Sequence, residues 1–198
     1  MIIIGVTGNI GSGKSTVCRI LTNLGAATID ADQLAHEAYR PNSQTWQQIV
    51  TAFGKHIVKP DTEIDREKLG HLVFSDPAAL ARLNQIVHPE AYRMVQERIE
   101  DYCRQGVTAI ALEAILLIEA GWVKLVNTVW LVVASQDIVI QRLTEHKGAS
   151  RPWILSRLRS QVPSEEKMKC ADELIYNNGD LNQLETRITE LWQKLPVN

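Results

Sequence analysis

The chain of 198 residues is 45% hydrophobic and 22% charged, enough length and apolar content for one domain around a sizeable core. Its formal net charge of −2 gives no broad basic surface for nucleic acid or anionic lipid, so any anion must be held locally. Cys18, Cys103 and Cys170 are far apart with no CxxC, which argues against a zinc or dithiol site and for reduced thiols in a cytoplasmic protein.

MIIIGV, residues 1–6, reads as a buried strand; as an apolar run it is too short, and lacks the basic leader, for a signal-peptide core. It leads into GVTGNIGSGKST, residues 5–16, where four glycines stand ahead of Lys14, Ser15 and Thr16. Glycine loses the most backbone freedom on folding, so such a cluster needs a reason. Gly8 to Ser15 matches GxxxxGK[ST] at every position, between an expected strand and an expected helix, which is the context that motif requires. The bare backbone lets N–H groups converge on phosphate oxygens, and the following helix aims its positive end at the same point. Asn9, Ile10, Gly11, Ser12, Gly13, Lys14, Ser15 and Thr16 are therefore expected to bind a nucleoside triphosphate. Lys14 would reach the β and γ phosphates, and Ser15 would offer a hydroxyl to Mg²⁺.

A helix is expected over 15–25, with Ile20, Leu21 and Leu24 inward and Gly25 as its stop. AATID, residues 26–30, is a second short strand. The IDAD stretch, 29–32, closes it, and ligands gather at the carboxyl ends of parallel strands. Asp32 either accepts the proton of an attacking hydroxyl or begins the next helix as its N-cap; spacing alone does not separate the two. A helical insertion follows, with Asp65 and Asp76–Pro77 as helix starts and Gly54 and Gly106 as stops. His88–Pro89 is expected to interrupt LARLNQIV before a new helix with Val95, Ile99 and Tyr102 on one side.

Residues 108–113 and 128–134 read as further buried strands. The apolar stretch AIALEAILLIEAGW, which begins inside the first of them, is broken by Glu113 and Glu119, so it offers no membrane span. Glu113, at the end of its strand, either holds the waters of a metal ion or simply meets solvent. The segment from about 142 to 170 is rich in arginine and lysine. Arg142 with His146 and Arg157 with Gln161 are spaced to share helix faces, and Gly148 and Pro152 mark a break. A moving flap carrying arginines suits the charge on a transferring phosphoryl group, whereas Arg159 and Lys169 read as solvated. ELIY, 173–176, is a last strand, and the closing helix has Asp180 as N-cap with Gln183 in the capping-box position.

Strands apolar on both faces, alternating with helices, indicate a parallel sheet in an α/β fold. The absence of NKxD and DxxG argues against a GTPase switch. What remains is a small phosphotransferase, the alternatives being a kinase for another small molecule or a nucleoside monophosphate, and a non-catalytic nucleotide-binding module.

Taken together the residues resemble the dephospho-coenzyme A kinase family along nearly the whole chain. The resemblance rests on GVTGNIGSGKSTV, GAATIDADQLAHEAY, FGKHIV, IDREKL, VFSDP with HPE, LLIEAG, QRL, SRLRSQ and EEKMKCADELIYNNG, in that order. It implies an α/β P-loop kinase fold with a parallel five-stranded sheet flanked by helices. The core would be 1–32, 107–141 and 171–198, with a helical acceptor-binding insertion at about 33–106 and a lid at about 142–170. It implies transfer of the γ-phosphoryl group of ATP, with Mg²⁺, to the ribose 3′-hydroxyl of dephospho-coenzyme A, with no nucleic-acid or membrane partner and the oligomeric state open. Asp32 matches the family's second Asp in D-A-D, which favours the general base. Arg142 and Arg157 match lid arginines near the ATP phosphates, and Asn177 lies where the nucleotide base is held. His88, Leu116 and Leu117 fall in acceptor-lining segments, and Glu113 would reach the metal through water. The chain departs from the family's pattern at Ile115, Ile118 and Glu63, where proline, phenylalanine and glycine are usual. His146 stands where a second lid arginine is common, with Arg151 as the alternative cation.

Overall fold

The β-branched residues that open the chain form β1 (Ile2–Thr7), with Ile4 and Val6 completely buried in the computed structural model, which describes residues 1–196. Around it stand β2 (Ala27–Asp30), β3 (Ala109–Glu113), β4 (Thr128–Val133) and β5 (Glu173–Tyr176), in the order β2-β3-β1-β4-β5. All four pairings are parallel, as strands apolar on both faces lead one to expect. The register aligns Val6 with Glu113 and with Trp130, and Asp30 with Glu113. The carboxyl ends of β1, β2 and β3 therefore stand side by side.

Two helices close one face of this sheet, α1 (Lys14–Asn23) and the C-terminal α9 (Leu181–Gln193). Val17, Ile20 and Leu21 of α1 and Leu184, Ile188 and Leu191 of α9 share a core with Ile2, Ile4 and Val6. Each such aliphatic side chain contributes roughly 1.5–3 kcal/mol by leaving water. Asp180 caps α9 by accepting from the Gln183 amide at 2.9 Å. The chain between β4 and β5 forms α6 (Gln136–Lys147), α7 (Arg151–Arg159) and the short α8 (Ser164–Met168). Gly148 ends α6 with φ +62, and Pro152 sits in the first turn of α7. Gln161 lies past the end of α7, so it does not share a helix face with Arg157 as its spacing implied.

Residues Ala31–Arg98 form a second compact unit, distinct from the one made by Met1–Asp30 and the chain from Ile99 on. It is helical: α2 (Ala31–Glu37), α3 (Gln44–Phe53), α4 (Arg66–Ser75) and most of α5 (Pro77–Arg104). Ser43 and Asp65 cap α3 and α4 by accepting from the amides of Trp46 and Lys68, and Gly54 ends α3. Ile49, Ile57, Ile64, Leu69, Val73 and Val87 are the unit's core. The turn before α4 takes its left-handed residue at Thr62, with φ +70, so Glu63 needs no glycine-like backbone.

The interruption expected at His88–Pro89 does not occur. Helix α5 runs unbroken for 28 residues with Pro89 inside it. Proline there removes one helical hydrogen bond and crowds the carbonyl of Gln85. Val87 on one side and Ala91 and Val95 on the other are all buried, and that burial holds the helix together across the defect. Pro89→Ala restores the donor, and we expect it to stabilise the protein by about 1–3 kcal/mol. Chemical denaturation monitored by circular dichroism checks this; a lower midpoint would contradict it.

Candidate active site

The loop from Gly8 to Gly13 joins β1 to α1. Gly8 and Gly13 have φ of +148 and +100, a region that L side chains rarely adopt. A Cβ on Gly8 would collide with the Val132 carbonyl oxygen, and one on Gly13 with the Asn177 side-chain amide. Neighbouring chain is packed tightly against the loop, so glycine serves both for conformation and for space. Lys14, the first residue of α1, is 6% exposed, and its Nζ donates to the Asn9 carbonyl at 3.5 Å.

Ser15 and Glu113 come together. The Ser15 hydroxyl donates to Glu113 Oε1 at 2.9 Å, and Glu113 is 8% exposed rather than out in solvent. Cys18, one turn along α1, also meets this carboxylate. Burial first, then the Glu113 charge, pushes its thiol well above the usual range. A thiol so placed is a small buried hydrophobe, not a nucleophile.

Asn177 carries more structure than its place after the last strand announced. It is 6% exposed; its Nδ2 donates to the Ser12 carbonyl at 2.8 Å, and its Oδ1 accepts from Arg142 Nη2 at 3.2 Å. One side chain thus braces the glycine loop and aims an arginine. Arg142 lies in the middle of α6, and its Nη1 is buried with no hydrogen-bond partner. Asn9 Oδ1 and Ser12 Oγ are in the same condition, and both residues line a cavity of about 320 Å³ beside the loop. Polar atoms withdrawn from water without partners leave hydrogen-bonding capacity for a bound group.

Two contacts in the loop had no signal in the sequence. Gln161 Oε1 accepts from the Ile10 amide at 3.0 Å, and Asn9 Nδ2 donates to the Ser164 hydroxyl at 3.4 Å. Ile10 itself packs with Val139, Ile140, Leu143 and Ile154. Arg157 is half-buried, its guanidinium 5.1 Å from the Trp153 ring centroid. Burial pulls its pKa down, though arginine remains a cation. His146 and Arg151 are both exposed.

The remaining sequence candidates are spread over both units. Thr16 follows Ser15 in α1. Leu117 is fully buried where it packs over Gly5, and Leu116 beside it is half-buried. Asp32 lies in the first turn of α2, half-buried, where a carboxylate also suits the helix dipole. His88 lies in α5, and desolvation lowers its pKa from 6.5, so the imidazole is neutral near pH 7.

A parallel sheet whose central strand runs into a glycine loop ending in Lys-Ser, with a strand-end carboxylate on that serine, defines a P-loop kinase fold. Comparison with known proteins makes the assignment specific. A family model for dephospho-CoA kinase matches residues 2–183. The dephospho-CoA kinase of Geobacter sulfurreducens is 45% identical over 194 residues, covering 98% of each chain. Among solved structures, TT1252 from Thermus thermophilus is 37% identical with a TM-score of 0.82, covering 98% of this chain and 97% of its own. The dephospho-CoA kinase from Campylobacter jejuni is 27% identical with a TM-score of 0.70, over 97% of this chain and 96% of its own. The chain belongs to the dephospho-CoA kinase family.

Two measurements test this geometry. With Cys18 buried and Cys103 and Cys170 exposed, a thiol reagent should titrate two groups in the native protein and a third only on unfolding; rapid native reaction of all three would refute the burial. Asn177→Ala strands the Ser12 carbonyl and one arginine nitrogen, so we expect a loss of about 1–3 kcal/mol in denaturant titration. An unchanged midpoint would show that the brace carries no weight.

Proposed function

We propose that the protein transfers the γ-phosphoryl group of ATP to the ribose 3′-hydroxyl of dephospho-coenzyme A, giving coenzyme A and ADP. The observation that carries the reading is the join between the phosphate loop and Glu113, made at 2.9 Å through Ser15. It sets a hydroxyl and a carboxylate beside the amides and ammonium that bind phosphate, inside a chain of this family.

The backbone N–H groups of the loop that are not already committed within the protein, as those of Ile10 and Ser12 are to Gln161 and the Asn9 carbonyl, hold the β and γ phosphates together with the Lys14 ammonium. Ser15, with Glu113 acting through water, is an oxygen donor set suited to Mg²⁺. No cluster of three His, Cys, Asp or Glu side chains stands anywhere among the described residues, so phosphate and water would supply the other ligands. When bound, the ion neutralises charge on the transferring group. Arg142, steered by Asn177, and Arg157 contribute positive charge toward the ATP phosphates. Preorganised donors of this kind act where charge develops in the transition state. Asn177 supports the nucleotide through the loop it braces. Asp32 is the general base that takes the proton of the attacking hydroxyl. His88, Leu116 and Leu117 are assigned to the acceptor, the neutral imidazole serving as a hydrogen-bonding group without charge. The insertion would hold that acceptor and the segment 142–170 would act as the lid. The small net charge supports a free nucleotide over nucleic acid as partner, and no helix among the described residues is long and apolar enough to cross a membrane. A reaction between these two metabolites belongs in the cytoplasm.

Purified protein with MgATP and dephospho-coenzyme A should give ADP and a 3′-phosphorylated product by mass spectrometry. Turnover of a different alcohol acceptor with none of this one would overturn the assignment. Asp32→Asn should keep near-normal ATP affinity while kcat falls by about two to four orders of magnitude. Equal losses in ATP binding and rate would remove Asp32 from the chemistry. Lys14→Ala should impair both.

A further inference from the structure

Three lysine and glutamate side chains are buried among the described residues: Lys14, Glu113 and Lys167. The first two belong to the phosphate site. Lys167, in α8, does not, yet its side chain is 0% exposed. In sequence it sits in SEEKMK, a run that looks like a solvated helix face. An ammonium withdrawn from water is strongly disfavoured unless its donors are all used, so its burial calls for a function.

Its donors go to a single turn. Lys167 Nζ is 2.9 Å from Glu119 Oε1 and donates to the Ile115 carbonyl at 3.0 Å. The same carbonyl accepts from the Thr7 hydroxyl at 3.3 Å. Thr7 is the last residue of β1, immediately before the phosphate loop, and is completely buried. Ile115 lies two residues beyond Glu113 and one before Leu116. At the other end of α8, Ser164 accepts from the Asn9 side chain in the loop. The exit of β1, the exit of β3 and α8 thus converge on one carbonyl, and the ammonium is the charged member of that junction.

We propose that Lys167 is a positioning residue of the phosphoryl-transfer site: held between Glu119 and the Ile115 carbonyl, it fixes the turn that leaves β3. That turn sets where Glu113 and the Leu116–Leu117 pair stand relative to the phosphate loop. The inference rests on the proposed function in taking Glu113 to the metal and the leucines to the acceptor. Without the ammonium, the Ile115 carbonyl loses its 3.0 Å bond from α8, and Glu119 loses its counter-charge. The loop amides that bind ATP lie on a different segment and are spared. Loss of the ammonium should therefore separate nucleotide binding from turnover.

The test uses the full-length enzyme with Lys167→Met, which keeps the side-chain length and removes the charge, and Glu119→Gln, which keeps a hydrogen-bonding group. Both are assayed well below their unfolding midpoints. For Lys167→Met, ATP affinity measured without acceptor should stay within about twofold, while kcat/KM for dephospho-coenzyme A falls about 10- to 100-fold, the range expected of a small misplacement. The Mg²⁺ concentration for half-maximal rate should rise as well. Glu119→Gln should shift the same quantities in the same direction, less far. A folded Lys167→Met with a lower melting point but wild-type kinetics and Mg²⁺ dependence would overturn the proposal. So would equal losses of ATP affinity and kcat. If Lys167→Met does not fold, Glu119→Gln decides by the same criteria. Wild-type enzyme inactive on dephospho-coenzyme A would refute the proposed function, whereas active wild type with an indifferent variant refutes only the role of Lys167.

Discussion

A loop that must present bare amides to a triphosphate cannot be stiffened by side chains of its own, so its rigidity has to be imported. Gly8 to Gly13 meet this constraint with contacts from four other places in the chain. The Val132 carbonyl presses on Gly8, Asn177 holds the Ser12 carbonyl, Gln161 takes the Ile10 amide, and Ser164 receives the Asn9 side chain. Apolar packing of Ile10 against Val139 and Leu143 adds a non-directional restraint. Fixed dipoles act on developing charge only if they need not reorganise, which is why so many segments are committed to so short a loop. Arg142 is part of the same economy, since the asparagine that braces the loop also orients the guanidinium.

The division of polar labour follows from strand register. Val6, Asp30 and Glu113 align across β1, β2 and β3, so the sheet delivers carboxylates to the edge where the loop begins. Only Glu113 is drawn inward, by the Ser15 hydroxyl; Asp30 remains exposed at its strand end. The same register explains Cys18: one turn after Lys14 on the buried face of α1, it faces the carboxylate that serves Ser15, and its thiol is held protonated.

Much of this was legible in the residues alone. Short apolar runs placed all five strands to within a residue or so; the inner strands β1, β3 and β4 are mostly buried, while the edge strands β2 and β5 are only partly so. The GxxxxGKS spacing named the loop, and Asp65, Gly54 and Asp180 marked helix ends through their own backbone chemistry. Two kinds of feature escaped. The helix expected to stop at His88–Pro89 continues because burial on both sides outweighs a local rule. Long-range polar contacts also carry no periodicity: Asn177 reaches Ser12 across 165 positions, and Lys167 hides in a run of charge that composition assigns to solvent. Asn-Asn-Gly reads as a turn, and nothing within it says that its first residue is buried.

The placement of β1 has a consequence for how the protein is made. The middle strand of the sheet, β1, leaves the ribosome before both strands that flank it, and it stays without those neighbours until residues 109–113 and 128–133 have been synthesised. Asn177 emerges later still. A nascent chain therefore carries an apolar, unpaired strand until its partners emerge, and cannot complete its phosphate cradle before residue 177 has been made. Nucleotide can meet a complete cradle only long after the loop that will hold it has been made.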